Sequence, residues 1–542
     1  MRISSIVLAG LQLLGMVVAL PKVTRTGKYL YNESGDRFFI KGVAYQPQGE
    51  MGMSSESNAA NGGFPEPSTF HDPLSSPQNC TRDLPFLKQL GVNTLRVYSV
   101  NSSLNHDECM KALSNAGIYV LLDLSLPLNG SIDRSSPSWS TNLLDQYIAT
   151  INAFKGYDNI LGFNVGNEVI NLATNTNAAP YVKAAARDIK AYLKSIGSSA
   201  LVGYAAVDGE ADFRNSLAKY MTCGGDDVAV DIYGLNNYEW CGNENINSSN
   251  WNGITEGFKD IPVAAYMSEY GCITNPPRLW TEVTALFASP VVDVFSGGVA
   301  FSYFPTSDGY GMVSISDDGK TITTSDDFRR LSSQYNSTSP PNSPAKSSST
   351  AKTDCPAENA SLLASSNLPP TPNEALQGQR GCCKLTSYSR YGCSLLGSTK
   401  SSASCNSIGG NGTSGTYGEL SYCSPAIKLS YVFSVYYQLN PVDTSCDFGG
   451  NATLSQNRPN TPQDANAAGQ SCLAAKPSGG VFTPTAPGAA ASTGSGTSPA
   501  TSGATSGGSS SHSAAIERWL INGFLMGIMG AMALIAGGSI LV

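Results

Sequence analysis

The sequence predicts an α/β protein: a (β/α)8 barrel, of the TIM-barrel type, followed by a small disulfide-rich module. Eight short apolar runs, each typical of a strand buried on both faces, alternate with helical patterns over residues 20–335. Such alternation is the signature of a closed parallel barrel. A polar linker then leads to a segment that holds eight of the thirteen cysteines.

The predicted strands share an apolar centre bounded by polar residues or glycine. They are Phe39–Tyr45, Asn93–Tyr98, Tyr119–Asp123, Ile160–Val165, Leu201–Ala206, Val228–Leu235, Val263–Met267 and Val299–Tyr303. Helical patterns fill several of the gaps, such as residues 83–90 and 179–193. In a barrel of this kind, catalytic side chains lie at the C-terminal ends of the strands.

Two glutamates occupy such strand ends. Glu168 follows the fourth predicted strand and Glu269 follows the seventh. Because side chains at the C-terminal ends of strands four and seven converge on the barrel mouth, we expect the two carboxylates to face one substrate. Paired carboxylates cleave glycosidic bonds, and with retention of configuration they stand about 5 Å apart. A structural salt bridge is the alternative for either glutamate alone.

The neighbours of Glu168 and Glu269 suggest unequal roles. Asn167 can donate to the 2-hydroxyl of the sugar under attack, a bond that strengthens as charge develops. An ionised Glu269 would raise the pKa of Glu168 and keep it protonated as a general acid. Tyr98, Tyr238 and Tyr303, at or just beyond strand ends, would stack on a sugar, hold the nucleophile, or only pack.

Composition excludes several other functions. The net charge of −8 and the pI near 5.1 disfavour nucleic acid as a partner. There are only three histidines, His71, His106 and His512, so a histidine-based triad or zinc site is poorly supplied. We therefore expect carboxylate chemistry without a metal or an organic cofactor. We also expect the protein to be a monomer.

Both ends of the chain carry targeting patterns. Residues 1–19 resemble a secretory signal peptide, with Arg2, an apolar run and a small-residue exit. Residues 336–354 form a polar linker, residues 355–475 the cysteine-rich module, and residues 476–510 a Ser/Thr/Gly-rich stalk. Residues 511–542 end in an apolar tail that follows small residues at Ser506 to Ser510, as in a glycosylphosphatidylinositol (GPI) anchor signal. An ordinary transmembrane anchor is the alternative.

Export to the cell surface agrees with two further features. The many cysteines predict a disulfide framework. Acceptor sequences for N-glycosylation occur at nine asparagines: Asn32, Asn79, Asn101, Asn129, Asn247, Asn336, Asn359, Asn411 and Asn451.

The motifs of the first unit resemble a known family. Residues 82–98, His106–Met110, Gly166-Asn-Glu168 and Ser268-Glu-Tyr-Gly-Cys272 are similar to the fungal β-1,3-glucanosyltransferases of the Gas/Gel/Phr type, glycoside hydrolase family 72. The resemblance implies that Glu168 is the acid/base, Glu269 the nucleophile and Asn167 the 2-hydroxyl partner. It further implies active-site roles for Tyr98, Tyr238 and Tyr303.

The resemblance also covers cysteines and the second unit. It implies the disulfides Cys80–Cys109, Cys241–Cys272 and Cys223–Cys355. Residues 417–423 and 446–454 resemble a glucan-binding module of carbohydrate-binding family 43, although only seven cysteines follow Cys355 where that module has eight of its own. The chain also has Phe301-Ser302-Tyr303 where the family has Tyr-Glu-Tyr, a change that we expect on the acceptor side.

We therefore expect a GPI-anchored protein of the outer membrane face and cell wall. Its expected activity is to cleave an internal β-1,3-glucan linkage and transfer the new reducing end to the non-reducing end of another glucan. A retaining endo-β-1,3-glucanase and a non-catalytic glucan-binding wall protein are the alternatives.

Overall fold

The computed structural model describes residues 19–50, 69–127, 130–347, 353–372, 383–385, 406–418, 420–439, 442–447, 450 and 452–454. Eight parallel strands close a barrel, which confirms the predicted fold. In chain order they are Ile40–Ala44, Thr94–Val97, Tyr119–Asp123, Ile160–Asn167, Leu201–Val207, Ile232–Asn236, Ala264–Tyr270 and Phe295–Ala300. A short N-terminal hairpin, Thr24–Thr26 with Tyr29–Tyr31, precedes them.

Helices connect the strands and form the outer layer. They are Pro77–Leu90, Asp107–Asn115, Thr141–Phe154, Ala179–Ser195, Ala211–Thr222, Trp251–Phe258, Glu282–Leu286 and, beyond the last strand, Asp326–Ser337. The first of them shows why the boundaries fall where they do. The hydroxyl of Ser76 accepts from the backbone N–H of Asn79 at its start, and Gly91 ends it in the left-handed conformation.

Alternation along the strands separates two buried layers. Leu121, Leu161, Ile232 and Val299 belong to one apolar cluster, whereas Val120 and Leu122 belong to the larger cluster that includes helix residues. A strand residue and its neighbour point to opposite faces, so the smaller cluster fills the barrel and the larger one joins it to the helices. A filled barrel leaves its C-terminal rim as the place for polar chemistry.

Two predicted strands were misplaced. The eighth runs over Phe295–Ala300 rather than Val299–Tyr303, because its first half, Phe295-Ser-Gly-Gly298, is not a continuous apolar run. Gly297, at φ +85°, lies against the backbone of Ile40 where a side chain would not fit. The sixth begins at Ile232 rather than Val228. Asp231, just before it, accepts the backbone N–H of Val202 through its carboxylate at 2.9 Å.

The predicted linker is bound to the barrel along much of its length. The last barrel helix continues to Ser337, and the next residues hydrogen-bond near the N-terminal hairpin. The Arg37 backbone N–H donates to Oδ1 of Asn342 at 2.8 Å, and its guanidinium donates to the Ser343 carbonyl at 2.7 Å. A segment poor in apolar residues is therefore held by polar contacts, which composition does not reveal.

The start of the second unit packs on the barrel helix Ala179–Ser195. Arg187 donates to the Pro369 carbonyl at 2.9 Å, and the Thr371 hydroxyl donates to Asp188 at 2.7 Å. Beyond it the structure describes the helix Pro425–Leu439 and the strand pairs Cys383–Leu385 with Ala452–Leu454 and Gly410–Asn411 with Thr416–Tyr417.

The targeting segments lie largely outside the described residues. These are the predicted signal peptide, of which only Ala19 is described, the stalk at 476–510, the anchor residues Ser506 to Ser510 and the tail at 511–542. Within the part of the chain that the structure does describe, none of the helices has both the length and the apolarity to cross a membrane.

Candidate active site

The structure brings the two predicted glutamates together at the C-terminal rim of the barrel. Glu168 directly follows the fourth strand, and Glu269 is the penultimate residue of the seventh. Asn236, at the end of the sixth strand, donates to Oε1 of Glu168 at 2.7 Å. Its own Oδ1 accepts from Arg96 at 3.3 Å, and Arg96 donates to Oε1 of Glu269 at 3.2 Å. One continuous network thus joins both carboxylates.

Arg96 is the centre of this network, and sequence reasoning missed it. The side chain is fully buried and bonds Asp123 at 2.8 Å through its guanidinium. An arginine inside a buried strand is the signal that was available, since such a charge must find partners. Arg96 supplies the fixed positive charge beside Glu269.

The same guanidinium orients Asn167. Oδ1 of Asn167 accepts from Arg96 at 2.8 Å and from Asn236 at 3.1 Å. With the oxygen engaged by two donors, the NH2 group of Asn167 is the end left to donate to a sugar hydroxyl. This is the orientation that the predicted 2-hydroxyl contact requires.

Two of the predicted tyrosines hold Glu269. The Tyr98 hydroxyl donates to Oε1 at 2.7 Å, and the Tyr238 hydroxyl donates to Oε2 at 2.8 Å. With Arg96, three donors therefore converge on Glu269, whereas Asn236 alone donates to the carboxylate of Glu168 among the described contacts. Hydrogen bonds to a carboxylate favour its ionised form.

Aromatic side chains flank the carboxylate of Glu269. Two of them, Phe301 and Tyr310, were not among the predicted site residues. The ring of Phe301 lies edge-on to Tyr98 and Tyr238, with centroids 6.4 Å away in each case, and 5.0 Å from Tyr310. Rings of this kind stack on sugars through their apolar faces. The signal was the aromatic run after the eighth strand, but the strand itself was misplaced by several residues.

Tyr303 does not join the site, which corrects its predicted substrate contact. The residue is fully buried, and its ring packs against Tyr45 and Phe304. Ser302 is also buried and donates to the Phe304 carbonyl at 2.8 Å, so it does not face an acceptor as expected. Because the eighth strand ends at Ala300, the side chain that reaches the site from this segment is Phe301.

Burial and neighbouring charges set the ionisation of the pair. Burial raises the pKa of Glu269 to about 7, against the lowering effects of Arg96, Tyr98 and Tyr238. Burial also raises the pKa of Glu168, which Asn236, Arg96 and Arg134 lower. The charge of Glu168 further raises the pKa of Glu269. Glu269 has more hydrogen-bond donors than Glu168, which favours negative charge on Glu269, whereas burial opposes that charge.

The structure contains the three disulfides that the resemblance implied: Cys80–Cys109, Cys223–Cys355 and Cys241–Cys272. Cys241–Cys272 joins the loop of Tyr238 to the loop after Glu269, and Cys223–Cys355 ties the second unit to the barrel. Among the described residues, Cys423 is a buried free thiol whose pKa burial raises to about 11. That thiol is an inert packing residue at neutral pH.

Most of the predicted glycosylation sites lie at the surface. Six are exposed, namely Asn79, Asn101, Asn247, Asn336, Asn359 and Asn411, while Asn32 is partly exposed. Asn129 and Asn451 lie outside the described residues. No group of three or more His, Cys, Asp or Glu side chains suited to a metal ion occurs in the described part of the chain.

Comparison with known proteins gives a consistent result. Residues 17–339 match the family described as glucanosyltransferase, and residues 379–453 match the X8 domain. The chain is 42% identical to the 1,3-beta-glucanosyltransferase gas1 of Schizosaccharomyces pombe, over 84% of this chain and 82% of that protein. It is 39% identical to the 1,3-beta-glucanosyltransferase GAS2 of Saccharomyces cerevisiae, over 77% of each chain.

A solved structure extends the likeness to three dimensions. A mutant of S. cerevisiae Gas2p in complex with laminaritetraose and laminaripentaose superposes with a TM-score of 0.72 at 35% identity. The superposition covers 83% of this chain and 99% of that one.

Proposed function

This chain belongs to the glucanosyltransferase family, glycoside hydrolase family 72, and from that premise we propose how its site works. The protein is a β-1,3-glucanosyltransferase that acts with retention of configuration. It cleaves an internal linkage of a β-1,3-glucan donor and joins the new reducing end to the non-reducing end of an acceptor glucan. The observation that carries the role assignment is the unequal donor set around Glu168 and Glu269.

In the first step, Glu269 is the nucleophile and Glu168 the acid. A carboxylate oxygen of Glu269 bonds to the anomeric carbon while the glycosidic C–O bond breaks, and the Glu168 proton passes to the departing oxygen. Tyr98 and Tyr238 aim the two oxygens of Glu269, and Asn167 donates to the 2-hydroxyl. The products are a glucosyl–enzyme ester and a released glucan fragment.

In the second step, Glu168 becomes the base. Esterification removes the charge of Glu269, and the pKa of Glu168 then falls because its partner is neutral and Arg96 and Arg134 remain. Glu168 takes a proton from the acceptor hydroxyl, whose oxygen bonds to the anomeric carbon as the ester breaks. An acceptor sugar in this step gives transfer, and water gives hydrolysis.

Product length tests the transfer. The protein is incubated with a reduced laminari-oligosaccharide, and the products are separated by size. Products longer than the substrate are expected. Only shorter products would identify an endo-β-1,3-glucanase, and unchanged substrate would identify a non-catalytic glucan-binding protein.

We also propose the organisation and location of the protein. The catalytic barrel spans residues 20–335, the module at 355–475 binds glucan, and a GPI anchor near Ser506 to Ser510 holds a monomer on the outer membrane face. Support comes from the small residues, polar spacer and apolar tail, and from seven surface glycosylation sequences. Release of the protein from intact membranes by a phosphatidylinositol-specific phospholipase is expected, and retention would indicate a transmembrane anchor.

A further inference from the structure

The backbone of Glu168 adopts an unusual conformation. Its φ is +49°, in the left-handed region, and it is one of three non-glycine residues with positive φ in the described part of the chain. For a residue with a side chain this conformation costs about 1–2 kcal/mol. Strain of this kind persists only where neighbouring groups hold it in place.

Arg134 forms hydrogen bonds to this strained backbone. Its Nη2 donates to the carbonyl of Glu168 at 2.8 Å, and its Nε donates to the carbonyl of Val169 at 3.0 Å. The planar guanidinium thus spans two consecutive carbonyls, a geometry that lysine cannot reproduce. On the other side of the strained residue, the Glu168 N–H donates to the Ala205 carbonyl at 2.9 Å.

Arg134 is itself held in place by its immediate neighbours in the chain. Ile132 is buried in the core, and Oδ1 of Asp133 accepts from the backbone N–H of Ser135 at 2.8 Å. This turn fixes the backbone on both sides of Arg134. The guanidinium therefore reaches Glu168 from a supported position.

We propose that Arg134 is a positioning residue for the acid/base: by clasping the Glu168 and Val169 carbonyls it holds the Glu168 carboxyl at the angle from which it protonates the leaving oxygen. The inference rests on the proposed function. Arg134 touches neither carboxylate oxygen in the described contacts, so it acts through the backbone and through its charge.

The charge of Arg134 makes the role measurable. Glu168 faces four charged or titratable groups: Glu269 and Arg96 across the rim, Arg134 on its backbone, and Tyr204 from the fifth strand. The positive charge of Arg134 lowers the pKa of Glu168, opposing burial. Removing that charge should move the alkaline limb of the pH–rate profile, where Glu168 loses its proton, to higher pH.

Three variants separate the effect of the two carbonyl hydrogen bonds of Arg134 from the effect of its positive charge. Arg134→Met removes both, Arg134→Lys keeps the charge and removes the two-carbonyl clasp, and Arg329→Met is the matched control at an exposed arginine. For Arg134→Met we expect kcat to fall by about 10- to 100-fold with KM little changed. Its alkaline limb should move to higher pH. Arg134→Lys should lose kcat while its limb stays in place.

A second readout does not depend on activity. Titration of the Glu168 carboxyl by 13C NMR should give a higher pKa in Arg134→Met than in the wild type. If wild type gives no lengthened products, the proposed function fails while this titration still tests Arg134. Wild-type kcat and an unshifted Glu168 titration in a folded Arg134→Met protein would overturn the proposal. If Arg134→Met does not fold, unchanged kcat in folded Arg134→Lys would overturn it.

Discussion

The hydroxyl of Tyr98, the residue after the second barrel strand, donates a 2.7 Å hydrogen bond to Oε1 of Glu269 in the seventh strand. Tyr238 holds the other carboxylate oxygen at 2.8 Å. Burial raises the pKa of both tyrosines well above 10, so each remains a donor at any pH at which the protein works. These two bonds favour the ionised carboxylate and aim it.

Removing either donor should therefore weaken the nucleophile. In Tyr98→Phe or Tyr238→Phe the lost bond to a charged group is worth about 1.5–3 kcal/mol, so kcat/KM should fall roughly 10- to 150-fold. Each bond lowers the pKa of Glu269, so its removal should raise that pKa. The acidic limb of the pH–rate profile should therefore move to higher pH in both variants. Steady-state rates across pH measure both effects. Tyr303→Phe is the control, and its rate should match wild type because Tyr303 lies outside the site.

Chemical rescue with azide can test which glutamate is the nucleophile and which is the acid/base. With an activated aryl β-laminari-oligosaccharide and azide, Glu168→Ala should form the β-glycosyl azide, since azide replaces the activated acceptor after the ester forms. Glu269→Ala should form the α-azide by direct attack. Without azide, Glu269→Ala should lose about 10⁴-fold or more in kcat. NMR of the products gives the configuration, and the reverse pattern would exchange the two assignments.

Glu282 should make stability depend on pH. Burial raises its pKa to about 7, from an ordinary value of 4.5. Glu282 loses its proton near pH 4.5 in the unfolded chain but only near pH 7 in the folded protein. The free energy of unfolding therefore has its full value below pH 4.5 and decreases as the pH rises to about 7. Glu282→Gln should be more stable than wild type by about 2–3 kcal/mol at pH 8 and by much less at pH 5. Denaturant unfolding at both values tests this, with exposed Glu256→Gln as the control.

Asp188 joins the barrel to the start of the second unit. Its carboxylate accepts from Trp139 Nε1 at 2.8 Å, from Thr371 at 2.7 Å and from Arg187 at 2.8 Å. Asp188→Ala leaves the buried Trp139 Nε1–H without its acceptor and removes the charge that faces Arg187, so it should cost about 3–5 kcal/mol in unfolding free energy. The exposed pair Asp326–Arg329 offers the control, since Asp326→Ala should cost less than about 1 kcal/mol. Equal losses in the two variants would refute the docking role.

The sequence by itself determined the barrel and the position of both glutamates at its rim, and it predicted the chemistry that we propose for them. Each strand is a continuous apolar run because it is buried on both faces, and a glutamate that ends such a run lies at the rim. These are local patterns, legible without knowledge of the fold. The unusual glycine-rich eighth strand broke the pattern, so its boundary and the position of Tyr303 were misjudged.

Only the tertiary structure decided which side chains serve the glutamates. Arg96, Asn236 and Arg134 lie on three different parts of the barrel, and their bonds to the glutamates or their backbone span 34 to 173 positions of sequence. The unequal donors around Glu168 and Glu269 arise from barrel closure, which brings the rim residues of separate strands within hydrogen-bond reach. The sequence shows that a carboxylate can act as an acid or as a nucleophile. The neighbours that favour its protonated or ionised form are brought to it only when the barrel closes.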